Sequence, residues 1–220
     1  MQPMPHGYTN ATVTDGRVVV KTYQGPDRDE RQVREELALL RLAGQLPVPT
    51  LLHSSAGIST TEFVPGTPGQ EAIAEGHAAE VLYACGRLLA QLQQVTPPVL
   101  FDVSTGPVLV HNDFGPNNVV MAPDLQGVRL LCDWEWVGVG DPTTDLAWAE
   151  FIVRLHHPGS VAALDALFDG YGHRPPWEAR RSAMADRADA HRQFVRRWHG
   201  EQGESLWKDR LAAIATWRDV

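Results

Sequence analysis

Four residues carry the chemistry that this sequence can do: Asp113, Asn118 and His111 within His111-Asn112-Asp113-Phe114-Gly115-Pro116-Asn117-Asn118, and Asp133 further on. Asn118 opens one predicted strand, Asn118–Met121. Asp133 follows its partner, Val128–Cys132, across the turn Ala122–Gly127. A symmetric hairpin pairs position 118 with 133, and a bulge would shift that pairing by one residue. An amide oxygen beside a carboxylate is a pair of hard oxygen ligands. Such a pair suits Mg2+, which takes few protein ligands and keeps phosphate and water oxygens. Asp113 lies on the loop entering the same hairpin, within reach of a hydroxyl beside the metal. Together these groups have the parts of phosphoryl transfer from ATP or GTP. That reaction needs positioning and charge neutralisation more than covalent chemistry.

A cation for the phosphates is also present. Of 19 basic residues only Lys21 and Lys208 are lysine. Lys21 ends the apolar run Val18-Val19-Val20, where a compact point charge would be unusual without a task. Glu35, on the next predicted helix, can pair with it and hold it extended. Glu36 lies about 100° further round that helix, so only one of the two can face Lys21.

The elements that must place these groups are readable. Asp15-Gly16, flanked by β-branched residues, predicts a hairpin of Thr12–Thr14 with Val18–Tyr23. Val33, Leu37, Ala38 and Leu40 predict an amphipathic helix over 30–43, ended by Gly44. Strands are predicted at Leu51–His53 and Ser59–Val64. Pro65-Gly66-Thr67-Pro68-Gly69 reads as a linker. A long helix over 71–94 follows it. After Thr144 the chain is mostly helical, with breaks at Pro158-Gly159, Tyr171–Pro176 and Gly200–Gly203. This is an α+β pattern: residues 1–66 form a small antiparallel-sheet lobe with one helix, and residues 67–220 form a mostly helical lobe.

The motifs together resemble the aminoglycoside phosphotransferase and choline kinase group, relatives of protein kinases. The residues that carry the resemblance are Gly7-Tyr8-Thr9-Asn10, Val20-Lys21, Arg34-Glu35, the loop 111–118, and Leu131-Cys132-Asp133-Trp134-Glu135. Gly140-Asp141-Pro142-x-x-Asp145-Leu146-Ala147 completes it. The resemblance implies a two-lobed kinase-like fold in which Asp113 is the catalytic base and Asn118 and Asp133 bind magnesium. It implies that Gly7, Thr9 and Asn10 cover the phosphates beside Lys21 and Glu35. Glu62 to Val64 would meet the nucleotide base through main-chain groups. Asp145 and His111 would be structural supports. Asn112 stands where the family usually has Gly.

Composition bounds the alternatives. Residues 1–150 hold 8 basic against 18 acidic side chains, whereas 151–220 hold 11 against 9. An acidic surface argues against nucleic-acid binding and favours a cationic partner; with it, the resemblance implies a cationic small molecule such as an aminoglycoside. No apolar run reaches membrane-spanning length, and the first residues lack the features of a signal peptide. Two cysteines among apolar residues read as reduced thiols, consistent with the cytoplasm. The expected partners are a nucleoside triphosphate and a hydroxyl-bearing small molecule, with the chain as monomer or homodimer. Trp134, Trp136 and Trp148 read as core, and the tail residues Trp198, Trp207 and Trp217 as core or interface. A pseudokinase that binds nucleotide without transfer is the alternative. A protein kinase is disfavoured because only eleven residues separate Asp133 from Asp145. A two-metal phosphoesterase would need more ligands than the chain supplies.

Overall fold

A computed structural model describes residues 1–3, 9–97 and 108–220. The first unit is an antiparallel sheet of β1 (Gln2–Pro3), β2 (Ala11–Thr14), β3 (Val18–Thr22), β4 (Leu51–Ser55) and β5 (Ile58–Glu62), in the order β1-β2-β3-β5-β4. The Asp15-Gly16 turn forms as expected. Asp15 Oδ1 accepts the N–H groups of Arg17 and Val18, and Gly16 adopts φ 82°.

Helix α1 (Arg28–Leu42) lies between β3 and β4 in sequence, but it does not bury the expected face. Val33 and Leu40 are more than half exposed. The buried face carries Arg31, Gln32, Glu35, Ala38, Leu39 and Leu42. The apolar half of that face joins the main core. The polar half is buried because its charges find partners far away in sequence, described below.

The expected linker is largely ordered structure. Thr67–Pro68 forms β6, which pairs with β8 (Val119–Met121), and β8 pairs with β9 (Val128–Leu131). Gly66 makes the approach possible, since a Cβ there would lie 2.5 Å from Val120 Cγ1 and 2.8 Å from the Met121 carbonyl oxygen. The expected long helix is two, α2 (Gly69–Ala74) and α3 (Ala78–Leu92), separated by Gly76 at φ 101°.

The hairpin register also differs. Val119 faces Leu131, and an irregularity between Val120 and Met121 shifts the pairing, so Asn118 faces Cys132. Asp133 lies one residue beyond, in the left-handed region at φ 65°.

Two short strands that the sequence pattern did not indicate, β7 (Val108–Val110) and β10 (Gly138–Gly140), pair antiparallel and frame the loop 111–118. Helices α4 (Thr143–His156), α5 (Leu164–Tyr171) and α6 (Trp177–Thr216) complete the chain. Gly200, at φ 67° and ψ −158°, breaks α6 into two arms. The arms face each other through the His191–Trp207 stack at 4.8 Å and the Arg192–Glu204 ion pair at 2.9 Å. One core runs from α1 through α3 to α5, and a second joins α4 to α6. The architecture is α+β and kinase-like: a small antiparallel-sheet lobe with one helix, and a mainly helical lobe. Among the described residues no helix is long and apolar enough to cross a membrane.

Candidate active site

The loop after β7 is held by one buried carboxylate. Asp145, in the first turn of α4, accepts the main-chain N–H of His111 at 2.6 Å and of Asn112 at 2.8 Å. Burial raises Asp145 to about 6, against those two hydrogen bonds and the charge of Arg187. Asn112 adopts φ 65°, a region that Asn tolerates better than most residues. Its side-chain amide donates to the Trp136 carbonyl at 2.9 Å.

His111 is fully buried. Its Nδ1 accepts the Asp113 N–H at 3.2 Å, and its Nε2 lies 3.0 Å from the Cys132 carbonyl oxygen. Both bonds are satisfied by the neutral ring with the proton on Nε2. Burial lowers its pKa to about 3. His111 therefore ties the loop to the β9 end and carries no exchangeable charge near neutrality.

Asp113 is oriented from two sides. Trp148 Nε1 of α4 donates to Oδ1 at 2.8 Å, and Asn118 Nδ2 donates to Oδ2 at 2.9 Å. Burial, followed by the nearby charge of Asp133, raises this carboxyl to about 7, against Arg187 and the two hydrogen bonds. A carboxylate near 7 is suited to accepting a hydroxyl proton at neutral pH.

Asn118 Nδ2 also donates to the Asp113 carbonyl at 2.7 Å. Both amide hydrogens are thus engaged, and Oδ1 is the atom left for a cation. The Asp133 side chain is 30% exposed, so its carboxylate is open to solvent. The two offer hard oxygen donors of the type Mg2+ takes.

Lys21 Nζ lies 2.7 Å from Glu35 Oε2, 2.5 Å from Asp133 Oδ1 and 3.3 Å from Glu135 Oε2. Burial opposes its charge, but Asp133, Glu35 and Glu135 outweigh it and hold the ammonium well above its ordinary range. Glu35 is fixed by the Tyr23 hydroxyl at 2.7 Å and by the Trp134 N–H at 3.2 Å. Glu36 turns away to Ser54 and Ser59.

Glu135 is fully buried and gathers the segment before β2. Thr9 Oγ1 donates to it at 3.1 Å, Asn10 Nδ2 at 2.7 Å and Arg31 Nη1 at 3.0 Å. Arg31 also donates to the carbonyls of Gln24 and Pro26, with its guanidinium over the rings of Trp136 and Phe194. Gly7 and Tyr8 lie outside the described residues.

A cleft of about 250 Å³ opens beside these groups, lined by Lys21, Glu35, Asn118 and Asp133 among them. Val19, Leu39, Pro49 and Leu130 supply apolar walls, while Lys21, Glu35, Asn118 and Asp133 supply the polar end. Thr9, Asn10, Glu62 and Val64 also line it. Glu62 and Phe63 donate their N–H groups to the carbonyls of Thr50 and Arg17. The main-chain groups of Val64 have no hydrogen-bond partner among the described residues.

Sequence reasoning assigned Trp148 to the core alone, and it missed Arg31 and Arg187. For Glu135 the sequence leaves open a carboxylate that assists the metal or acceptor and one that is solvated or merely supports the site. Arg31 had one signal: it stands four residues before Glu35 on the same helix face. Trp148 had none, because its indole satisfies an apolar pattern while its N–H does the work.

The fold and this arrangement define a kinase-like phosphotransferase. The family model described as "Phosphotransferase enzyme family" matches residues 1–107 and 98–185, and the chain belongs to that family, as a small-molecule kinase with a hydroxyl acceptor. Curated protein sequences give no match. Among solved structures, the gentamicin complex of APH(2")-IIa is similar at 14% identity and TM-score 0.71, covering 99% of this chain and 91% of that one. Macrolide 2'-phosphotransferase MphH from Brachybacterium faecium has 19% identity and TM-score 0.63, covering 100% and 93%. Aminoglycoside phosphotransferase APH(3'')-Id from Streptomyces rimosus, in complex with ADP and streptomycin, has 18% identity and TM-score 0.64, covering 83% and 89%.

Proposed function

We propose that the chain transfers the γ-phosphoryl group of ATP or GTP to a hydroxyl of a small molecule in the cytoplasm, with Mg2+ as cofactor. The acceptor oxygen bonds to the γ-phosphorus as the bond from that phosphorus to the bridging oxygen breaks. The hydroxyl proton passes to Asp113, and the nucleoside diphosphate leaves. Asn118 Oδ1 and the Asp133 carboxylate would hold magnesium, which would supply charge neutralisation for the phosphate oxygens. Lys21, kept extended by Glu35, meets the phosphates. Gly7, Thr9 and Asn10 cover them, and Glu62 and Val64 meet the base. His111 and Asp145 fix the loop. Residues 1–66 serve as the nucleotide lobe and 67–220 as the catalytic and acceptor lobe.

The observation that carries this reading is Asp113. A carboxyl raised to about 7 and aimed by two donors is joined through Asn118 to the cleft that holds Lys21 and Asp133. The similar structures include complexes with the aminoglycosides gentamicin and streptomycin and a macrolide 2'-phosphotransferase. Those two antibiotic classes are therefore the first acceptors to try.

The test is nucleotide turnover, with ATP and with GTP, across aminoglycosides, macrolides, choline, amino-alcohols and sugars. We expect magnesium-dependent, acceptor-stimulated release of diphosphate that Asp113→Ala abolishes while nucleotide affinity persists. No stimulation by any acceptor would favour a nucleotide-binding module. Intact turnover in Asp133→Asn would overturn the metal assignment.

A further inference from the structure

The cations around the cleft are not equally occupied. Lys21 is shared among three carboxylates, and Arg31 is engaged by Glu135 and two carbonyls. The loop from Phe114 to Asn117 contains no basic residue. Arg187, on the first arm of α6, is different. Its Nε and Nη2 are buried with no hydrogen-bond partner. A buried charged donor without a partner is costly, and native folds rarely keep one without a reason.

Its place is informative. The guanidinium lies 5.5 Å from the ring of Trp136, whose carbonyl holds the Asn112 side chain of the catalytic loop. One turn along α6, His191 stacks on Trp148 at 5.1 Å, and Trp148 donates to Asp113. Arg187 therefore belongs to the helix face that looks at Asp113. The nearby carboxylates do not need it for hydrogen bonding. Those of Asp113 and Asp145 are already met by Trp148, Asn118 and the loop N–H groups.

We propose that Arg187 is a catalytic residue whose guanidinium donates to a non-bridging oxygen of the phosphoryl group during transfer. This rests on the phosphotransferase reading above. Arg187 keeps its protons throughout and changes no bond. It supplies positive charge on the Asp113 side, where the metal and Lys21 are on the nucleotide side. Burial lowers its pKa to about 10, with Asp113 and Asp145 opposing, so it remains charged at neutral pH. The same free guanidinium could instead meet an anionic group on the acceptor, and the experiment separates the two sources.

Full-length wild type, Arg187→Met and Arg187→Lys are compared by calorimetry and kinetics. The probes are magnesium ADP alone and magnesium ADP with aluminium fluoride, which mimics the phosphoryl group in flight. Turnover is measured with water and with the best acceptor. We expect Arg187→Met to bind ADP within about twofold of wild type, yet to bind the fluoroaluminate complex about 100-fold more weakly, with a matching fall in kcat for both acceptors. Arg187→Lys, which keeps the charge if the methionine variant fails to fold, should lose about tenfold because it lacks the planar fork.

Equal losses for ADP and the fluoroaluminate complex would make Arg187 structural and overturn the proposal. A loss confined to the acceptor KM would overturn it too, assigning the charge to the acceptor. A wild type with no magnesium-dependent turnover would sink the phosphotransferase reading, while the two binding measurements would still decide the role of Arg187.

Discussion

His111 provides a prediction whose size follows from its surroundings. Its ring is fully buried and both nitrogens are used in the neutral form. Protonation would place a second N–H against the N–H of Asp113. The folded-state pKa is accordingly lowered to about 3 from 6.5. Between those values the folded chain binds fewer protons at this site than the unfolded chain, so this contribution to stability rises with pH and is lost as pH falls. At pH about 5 the unfolded ring lies roughly 1.5 units below its ordinary pKa, which is worth about 2 kcal/mol relative to pH about 8. Asp113 and Asp145 act in the opposite direction. Their folded pKa values are raised, so they contribute stability as pH falls through about 7 and about 6. The measurement must therefore be a difference. His111→Gln keeps a donor for the Cys132 carbonyl, cannot titrate, and loses the acceptor for the Asp113 N–H at a fixed cost of about 1–3 kcal/mol. Urea unfolding of wild type and variant across this pH range should show the gap between them narrowing by about 2 kcal/mol at the acid end. A constant gap, or a His111 ring resonance that titrates near its ordinary value in the folded protein, would refute the reasoning.

Three further outcomes are expected. Trp148→Phe retains an aromatic ring against Phe151 and His191 but removes the N–H to Asp113, and steady-state kinetics should show kcat reduced by about 10- to 100-fold with nucleotide KM unchanged. Glu135→Gln removes a buried charge shared by Lys21 and Arg31, and unfolding by urea should show a loss of about 3–5 kcal/mol. Gly86→Ala places a Cβ 2.2 Å from the Leu167 carbonyl oxygen and 2.6 Å from the Tyr171 nitrogen, so α3 and α5 must part. A loss of about 3 kcal/mol in thermal unfolding is expected, and a variant as stable as wild type would mean that these helices are not in backbone contact.

The candidate-site loop 111–118 was legible because its parts are consecutive and their spacing is itself a signal. The Lys21–Glu35 pair was legible because lysine is rare here and the two candidate acids, Glu35 and Glu36, point about 100° apart round the helix. What escaped was polar function inside an apolar pattern. Trp148 fits the buried face of α4, and nothing local marks its N–H as the donor that aims Asp113. On α1 the apolar spacing selects Val33 and Leu40, yet the protein buries Arg31 and Glu35. Burying a charge is favourable only with a partner in place, and the partners, Glu135 and Lys21, come from other elements. The one-residue error in hairpin register has a similar origin, since an irregularity between Val120 and Met121 leaves no compositional trace.

These misses converge on α6, the element whose sequence said least. Its first arm bears Arg187 over the Trp136 ring, beside the loop 111–118, and His191 against Trp148. One turn on, Phe194 lies under Arg31, which reaches Glu135 and through it Asn10 and Thr9. Further still, Arg197 pairs with Asp27 at the start of α1 at 2.7 Å. A single helical face thus packs on Trp148, the donor to Asp113, on the clamp for the segment before β2, and on the entry to α1. A rigid helix fixes the spacing of these contacts. Displacing any one of them must therefore either bend α6 or move the others with it, which couples the order of the segment before β2 to the orientation of Trp148, and so of Asp113, through packing alone.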